Sequence, residues 1–501
     1  MKLVLELFVA LTALELCIWL PLMWRFRKAY ASVLLLGSIA LLIILMAQDL
    51  KLWSVLIAIL GIYRLINLSR LIKGRTQADY LYHSSLRTSI GLISTQFFVI
   101  VCAWITTELH ITSLSLYYLL AAIQLCSVFV LLASTIRHLR KTVLPKLTET
   151  FADKDLPSLT VAIPARNETE ELKACLESLL RSTYPKLEIL VLDDCSQNKR
   201  TPEIIRGFAH DGVRFIAGKT PPDKWLAKNY AYQQLSETAN GSLLLFCGVD
   251  VRFQPDSLRI LVEAILQKQK TMISLIPKNS LPRGWSPTEL LTQPNRYAWE
   301  IALPRKLFRR PPVLSTCWLI SRQALQASGG FAAVIRQPVP ESYFAHQAAS
   351  KGDGYSFLQA SEQMAITSSK SPEEQLSTAI RTRYPQLHRR LELVILISLI
   401  EFAVFVWPAV LLFVSLLSSA WILAVLAGVI VCLQSLVYSK VFSLTYRKFM
   451  LRSIWLPVPA ALYDIWLLNY SMWQYEFSEV NWKGRNVCIP IMRVIPSLPK
   501  V

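Results

Sequence analysis

The stretches LTVAIPARNE (159–168) and LEILVLDD (187–194) decide the fold of this chain. Each is an aliphatic run of strand length, each ends in polar groups on its C-terminal side, and the residues between them carry a helical pattern. A strand–helix–strand unit of this kind presents chemistry at the strand ends, where open α/β sheets bind ligands. Further strand-like runs at 243–247 and 272–276, again with helical segments between, extend the pattern to a three-layer α/β domain over residues 150–390.

The rest of the chain reads as membrane. Of 501 residues, 53% are hydrophobic and only 17% are charged, with a formal net charge of +19. Apolar segments at 3–23, 31–47, 52–68, 89–107 and 113–135 precede the α/β region, each near the length of a spanning helix. The first has Glu6 and Glu15 inside it and its basic cluster after it, which is not the layout of a cleaved signal. Basic loops alternate along the chain, with 25–28, 70–87 and 137–146 assigned inside and the N-terminus outside. The reading is therefore a multi-pass protein of the inner or plasma membrane with its α/β domain in the cytoplasm. Segments 391–416 and 420–438 form a membrane hairpin that returns the chain inside at 440–452. Pro457, Pro459, Asp464 and Asn469 make 453–473 a re-entrant or interfacial segment, which keeps the basic tail cytoplasmic. The domains expected are a transmembrane region at 1–146, the α/β domain at 150–390, membrane or interfacial helices at 391–475 and a tail at 476–501. The net charge follows from loops beside apolar spans, and no nucleic-acid module is present. The nine cysteines lack CxxC spacing, which points to reduced thiols and no zinc.

Polar motifs punctuate the α/β region in a fixed order. Ile163-Pro164-Ala165-Arg166-Asn167-Glu168 follows the first strand and Asp193-Asp194-Cys195-Ser196 the second. Next comes Lys224-Trp225-Leu226-Ala227-Lys228-Asn229, and then a strand running into Gly248-Val249-Asp250-Val251. Cys317-Trp318-Leu319-Ile320 leads to Gly329-Gly330-Phe331 and then Glu341-Ser342. Gln386-Leu387-His388-Arg389-Arg390 stands before the membrane, and Trp482-Lys483-Gly484-Arg485 lies in the tail. By residue chemistry alone, Asp194 reads equally as a helix cap, Asp250 as a turn residue, Lys228 as a solvated helix start, and 386–390 as a basic juxtamembrane helix.

Taken as a series, these motifs resemble those of the family 2 glycosyltransferases, the lipid-directed kind with a GT-A (Rossmann-like) α/β fold. The resemblance covers about residues 157–390, and the four-residue tail motif is similar to the ending of hopanoid-associated and carotenoid glycosyltransferases. It implies an inverting transfer from a nucleotide-sugar, UDP-linked, to a lipid or polyprenoid acceptor at the cytoplasmic leaflet. It implies donor-binding roles for Pro164, Ala165, Arg166, Asn167, Glu168, Asp193, Asp194, Lys228 and Arg389. It implies that Asp250 holds Mg²⁺ or Mn²⁺, since hard oxygen ligands beside a diphosphate suit such ions. The chain departs from the family at two catalytic positions. Gly248 replaces the first metal-motif carboxylate, and restoring Gly248→Asp together with Ser342→Asp is expected to raise turnover. Ser342 replaces the base, and a serine hydroxyl is not ionised at neutral pH, which passes the general-base role to Glu341. The same departures motivate the alternative of a catalytically degenerate scaffold or regulatory partner. A third reading, a transporter, rests on Glu15 within the apolar N-terminal region, at a position expected near the membrane edge.

Overall fold

The computed structural model describes residues 2–19, 26–46, 52–72, 79–108, 113–144, 151–222, 225–279, 287–302, 311–350, 352, 354–446, 453–483 and 485–486. Lys224, Trp285, Gly484, residues 447–452 of the basic loop and the tail from 487 lie outside the described residues.

Seven strands form one mixed sheet: β1 (Leu159–Ala165), β2 (Leu187–Asp193), β3 (Val213–Ala217), β4 (Leu243–Cys247), β6 (Met272–Ile276), β8 (Cys317–Ser321) and β9 (Tyr355–Gln359). Their spatial order is β3-β2-β1-β4-β8-β6-β9. Strands β1 to β4 are parallel, and β8 runs antiparallel between β4 and β6. A small second sheet joins β5 (Val251–Arg252), β10 (Thr367–Ser368) and β7 (Lys278–Asn279).

Both faces of the large sheet are covered, which is why the strands read as continuous apolar runs. Val161, Ile163, Val191 and Leu245 pack on one side with the helices Glu170–Leu180 and Ser257–Gln267. Ala162, Leu190, Leu192 and Phe246 pack on the other with the helix Ala227–Thr238. The alternation has the two-residue period of a strand. On that second face Phe246 and Trp318 stack at 4.5 Å between ring centroids, with Phe331 and Tyr232 edge-on or tilted against them.

Five helical segments among the described residues are long and apolar enough to cross a membrane: Arg27–Met46, Val55–Ile72, Ser115–Thr142, Leu391–Leu417 and Trp421–Thr445. Two of the segments expected to span are shorter as apolar helices. Lys2–Cys17 has 16 residues, about 24 Å at 1.5 Å per residue, and the apolar part of the helix Asp79–Glu108 is limited to Ser89–Ala103. Glu15, expected at an interface, is instead enclosed: its Oε2 accepts from Arg64 Nε at 3.0 Å, and Arg64 Nη2 donates to Thr12 Oγ1 at 2.6 Å. With the Thr12 hydroxyl donating to Gln96 Oε1 at 2.9 Å, these bonds tie three helices together, which gives the buried carboxylate a packing role.

The segment expected to be re-entrant or interfacial is one continuous helix, Pro457–Phe477. Its polar residues are consumed by neighbours. Asn469 accepts from the Tyr63 hydroxyl at 2.9 Å and donates to Ser398 Oγ at 3.1 Å. Asp464 pairs with Arg383 at 2.6 Å and also accepts from Trp299 Nε1. Arg383 lies on the helix Pro372–Gln386 and stacks over Trp299, 4.2 Å from its ring centroid. This buried cluster joins the α/β domain to the helices beyond it.

Asp464→Ala leaves Arg383 buried without its carboxylate, which costs about 3–5 kcal/mol. The thermal midpoint of the detergent-solubilised protein should fall sharply, and an unchanged midpoint would show that the pair carries no stability.

Candidate active site

A cavity of 430 Å³ opens at the C-terminal ends of β1 and β4. Pro164 and Glu168 line it from the turn after β1, and Gly248, Val249 and Asp250 from the turn after β4. Leu226 to Asn229 bring the N-terminus of the helix Ala227–Thr238 to its wall, a position that favours anions. The helix Pro372–Gln386 closes the opposite side with Glu373, Glu374, Thr378 and Arg381, and Tyr475 adds an aromatic edge.

The two strand-end motifs are stitched into one unit. Asn167 and Cys195 both adopt positive φ, 51° and 54°, which turns the chain sharply after each strand. Asn167 Oδ1 accepts from the Gln197 amide at 2.8 Å, and its own amide donates to Ser196 Oγ at 2.9 Å. Arg166 Nη1 donates to the carbonyls of Asp194 and Cys195, both at 2.6 Å. Asp193 Oδ1 accepts from the Ser196 hydroxyl, and the Asp194 amide donates to the Ala165 carbonyl at 2.8 Å. Of the expected donor-binding residues in these motifs, Pro164 and Glu168 reach the cavity wall, while Ala165, Arg166, Asn167, Asp193 and Asp194 build the turns behind it.

Asp250 faces the cavity. Its Oδ2 accepts from Ser368 Oγ at 2.6 Å, and its Oδ1 has no hydrogen bond among the described residues. That free oxygen, hard and anionic, fits a divalent cation that a diphosphate would also hold. Gly248 explains the lost carboxylate: a Cβ there would collide with Asp250 Oδ1. The Asp250 side chain occupies the space that a residue at 248 would need, so a side chain there requires the Asp250 carboxylate to turn aside.

Cations surround this carboxylate. Lys228, Lys370 and Arg381 line the cavity, and Arg296 lies close enough to shift their charge equilibria. Burial pushes the Lys370 ammonium down to about 8 and the Arg381 guanidinium to about 10, with neighbouring cations adding to both shifts. Burial also lowers Lys228, against the pull of Glu341. Glu168 is held above the usual carboxylate range by burial, with Lys483 opposing that rise. Lys370 and Arg381 carry no recognisable motif in the sequence. Their importance comes from the helix Pro372–Gln386 folding back over the strand ends.

Glu341 is fully buried on the helix Pro340–Ser350 and stands behind Lys228, 3.5 Å from its Nζ. Ser342 donates its hydroxyl to the Val339 carbonyl at 2.7 Å, the role of a helix-start residue. Arg389 does not line the cavity. It lies over the ring of Tyr475 at 4.6 Å, one residue removed from the site. Lys483, noted in sequence only for its motif, does line it.

Residues 160–329 match the family model described as glycosyl transferase family 2. Glycosyltransferase AglE of Haloferax volcanii is 35% identical over 99 residues, which are 19% of this chain and 31% of that protein. A 4,4'-diaponeurosporenoate glycosyltransferase of Staphylococcus haemolyticus is 33% identical over 110 residues, 22% of this chain and 28% of that protein. The chain thus spans about a third of the length of these curated relatives. A solved mannosyltransferase, PcManGT from Pyrobaculum calidifontis in complex with GDP-Man and Mn²⁺, aligns at 16% identity and a TM-score of 0.39, covering 70% of this chain and 97% of that one. Residues 160–329, which contain the turns after β1, β2 and β4 that shape one side of the cavity, thus form a region similar to the glycosyl transferase family 2 domain.

Proposed function

We propose that this protein is an inverting membrane glycosyltransferase that moves a sugar from a nucleoside-diphosphate sugar, UDP-linked, to the hydroxyl or carboxylate of a lipid or polyprenoid acceptor. The observation that carries this reading is the convergence of Lys228, Lys370 and Arg381 with a helix N-terminus in the cavity that Asp250 faces. Such mutually repelling buried cations are what a diphosphate would stabilise. The stitched turns at 164–168 and 193–196 would seat the nucleoside beside them.

The acceptor hydroxyl would attack the anomeric carbon in line as the bond to the diphosphate breaks. Lys228, Lys370 and Arg381 would carry the negative charge of the departing diphosphate. As Lys228 turns toward the phosphates, the Glu341 carboxylate behind it would be uncovered to take the hydroxyl proton. Asp250 is the residue that would hold Mg²⁺ or Mn²⁺, which would add charge stabilisation at the leaving group. A lipid acceptor is supported by the site's location. Tyr475 and the helix Pro372–Gln386 border both the cavity and the apolar helices, and Trp455, Trp466 and Trp473 are exposed on the same C-terminal segment. Trp299, by contrast, is buried against Arg383. The relative named as a diaponeurosporenoate glycosyltransferase is consistent with this class of acceptor. The inner or plasma membrane, with the α/β domain in the cytoplasm, is the location this reading requires.

A thermal-shift titration with UDP, GDP and UDP-sugars, with and without Mn²⁺, tests the donor site before any acceptor is known. A ligand at a hundred times its Kd stabilises by about 2.7 kcal/mol. A Mn²⁺-dependent shift with UDP is expected, lost in Asp250→Ala and weakened in Gly248→Asp, whose side chain displaces the Asp250 carboxylate. No shift with any nucleotide would favour the degenerate scaffold.

The pH dependence of binding has a definite sign. Lys370 is charged below about 8 and neutral above it, so affinity for UDP should decline as pH rises through that value. Lys370→Met should bind weakly and lose that inflection, and an inflection retained in the variant would assign it to another group.

Glu341→Gln should leave UDP affinity within a few-fold while lowering transfer by about 10²–10⁴-fold, the range for a lost general base. Single-turnover assays with membrane lipid extracts as acceptor measure this. Equal transfer rates would remove Glu341 from the chemistry.

A further inference from the structure

The residue that closes the turn side of the cavity comes from outside the matched glycosyltransferase region, beyond the apolar helices. A short hairpin, Asn481–Trp482 paired with Arg485–Asn486, carries Lys483 at its tip. Lys483 has φ of 47°, a left-handed turn conformation, and both its carbonyl and its side chain meet the turn at 166–168. The carbonyl accepts from Arg166 Nε at 3.0 Å and from Asn167 Nδ2 at 3.4 Å. The ammonium pairs with Glu168 and stands 3.6 Å from Glu374, on opposite walls of the cavity. One residue therefore touches the nucleoside-side turn, the helix Pro372–Gln386 and the cavity space between them.

We infer that Lys483 is a donor-binding residue, supplying positive charge to the phosphates of a nucleoside diphosphate from the C-terminal hairpin. The inference rests on the donor reading of this cavity given above. The carboxylates of Glu168 and Glu374 would repel a diphosphate if left bare, and an ammonium set between them reduces that repulsion and brings a donor to the phosphates. The carbonyl contact fixes the turn that seats the nucleoside. The same contacts require the hairpin and the α/β domain to share one face of the membrane. Leu391–Leu417 and Trp421–Thr445 then cross out and back, and the helix Pro457–Phe477 begins and ends on the side of the domain.

The test compares the full-length protein in detergent with Lys483→Gln and Lys483→Arg, titrating UDP and GDP alongside uridine and guanosine by calorimetry. Lys483→Gln should weaken the diphosphate at least tenfold and the matching nucleoside less than twofold, while Lys483→Arg should stay within about threefold of the unaltered protein for both. Unchanged diphosphate affinity in Lys483→Gln overturns the assignment and leaves the donor site standing. Equal losses for diphosphate and nucleoside overturn it as well, since they reduce the hairpin to a brace for the turn. Failure of the unaltered protein to bind UDP or GDP overturns the donor reading and this assignment with it.

Discussion

The ion pair between Arg383 and Asp464 holds the two halves of this protein in register. Arg383 belongs to a helix whose other face lines the cavity, and Asp464 to a helix that follows the apolar hairpin. The pair is buried, braced by Trp299, and stands beside a second carboxylate, Glu401, on the helix that leaves the domain. Burying such charges is costly unless every partner is in place, so the pair is better at defining one arrangement than at adding stability. It fixes the helix Pro372–Gln386 over the strand ends, and that helix brings Arg381 and the segment bearing Lys370 to the site. Its neighbours Ser471 and Tyr475 reinforce the placement through bonds to Tyr384 and to the Arg381 carbonyl.

The chemistry of the cavity follows from this placement. Parallel strands deliver loops to one edge of the sheet, and two of those loops supply carboxylates. The membrane-proximal helix supplies cations against them. Burial, with neighbouring cations adding to it, holds Lys370 and Arg381 below their ordinary ranges. The two positions at which the motifs depart from the family they resemble have definite local settings. Gly248 leaves room for the folded-back Asp250, and Ser342 starts a helix whose Glu341 already holds Lys228.

The N-terminal helices are bound to the rest through polar contacts. Arg70 pairs with Glu476 at 2.9 Å and Tyr63 bonds Asn469, both on the helix that carries Asp464 and Tyr475. The bundle therefore braces the helix that forms one edge of the cavity. Glu15, with Arg64 as its partner, belongs to the internal glue of that bundle.

Much of this architecture is legible in the residues themselves. The aliphatic runs that became β1, β2, β4 and β6 are buried on both faces, so burial alone makes them read as strands. The edge strand β3, with Arg214 in it, and β9, a short alternating run, carry weaker signals and emerged only with their neighbours. Local sequence also marked Pro164, Glu168, Lys228, Gly248 and Asp250, because strand ends in an α/β sheet converge by topology. It could not show that Arg389 would face Tyr475 rather than the cavity, or that Glu341 would stand behind Lys228. Nor could it show that Lys370, Arg381 and Lys483 would complete the wall, since these approach from one helix, the segment before it and a hairpin, more than a hundred residues away from the first strand. Hydrophobic patterning determined which segments are strands and which are apolar helices, because burial acts on each segment separately. Which charges meet was decided by tertiary structure alone, because a charge in a cavity is defined by its distances to others and not by its place along the chain.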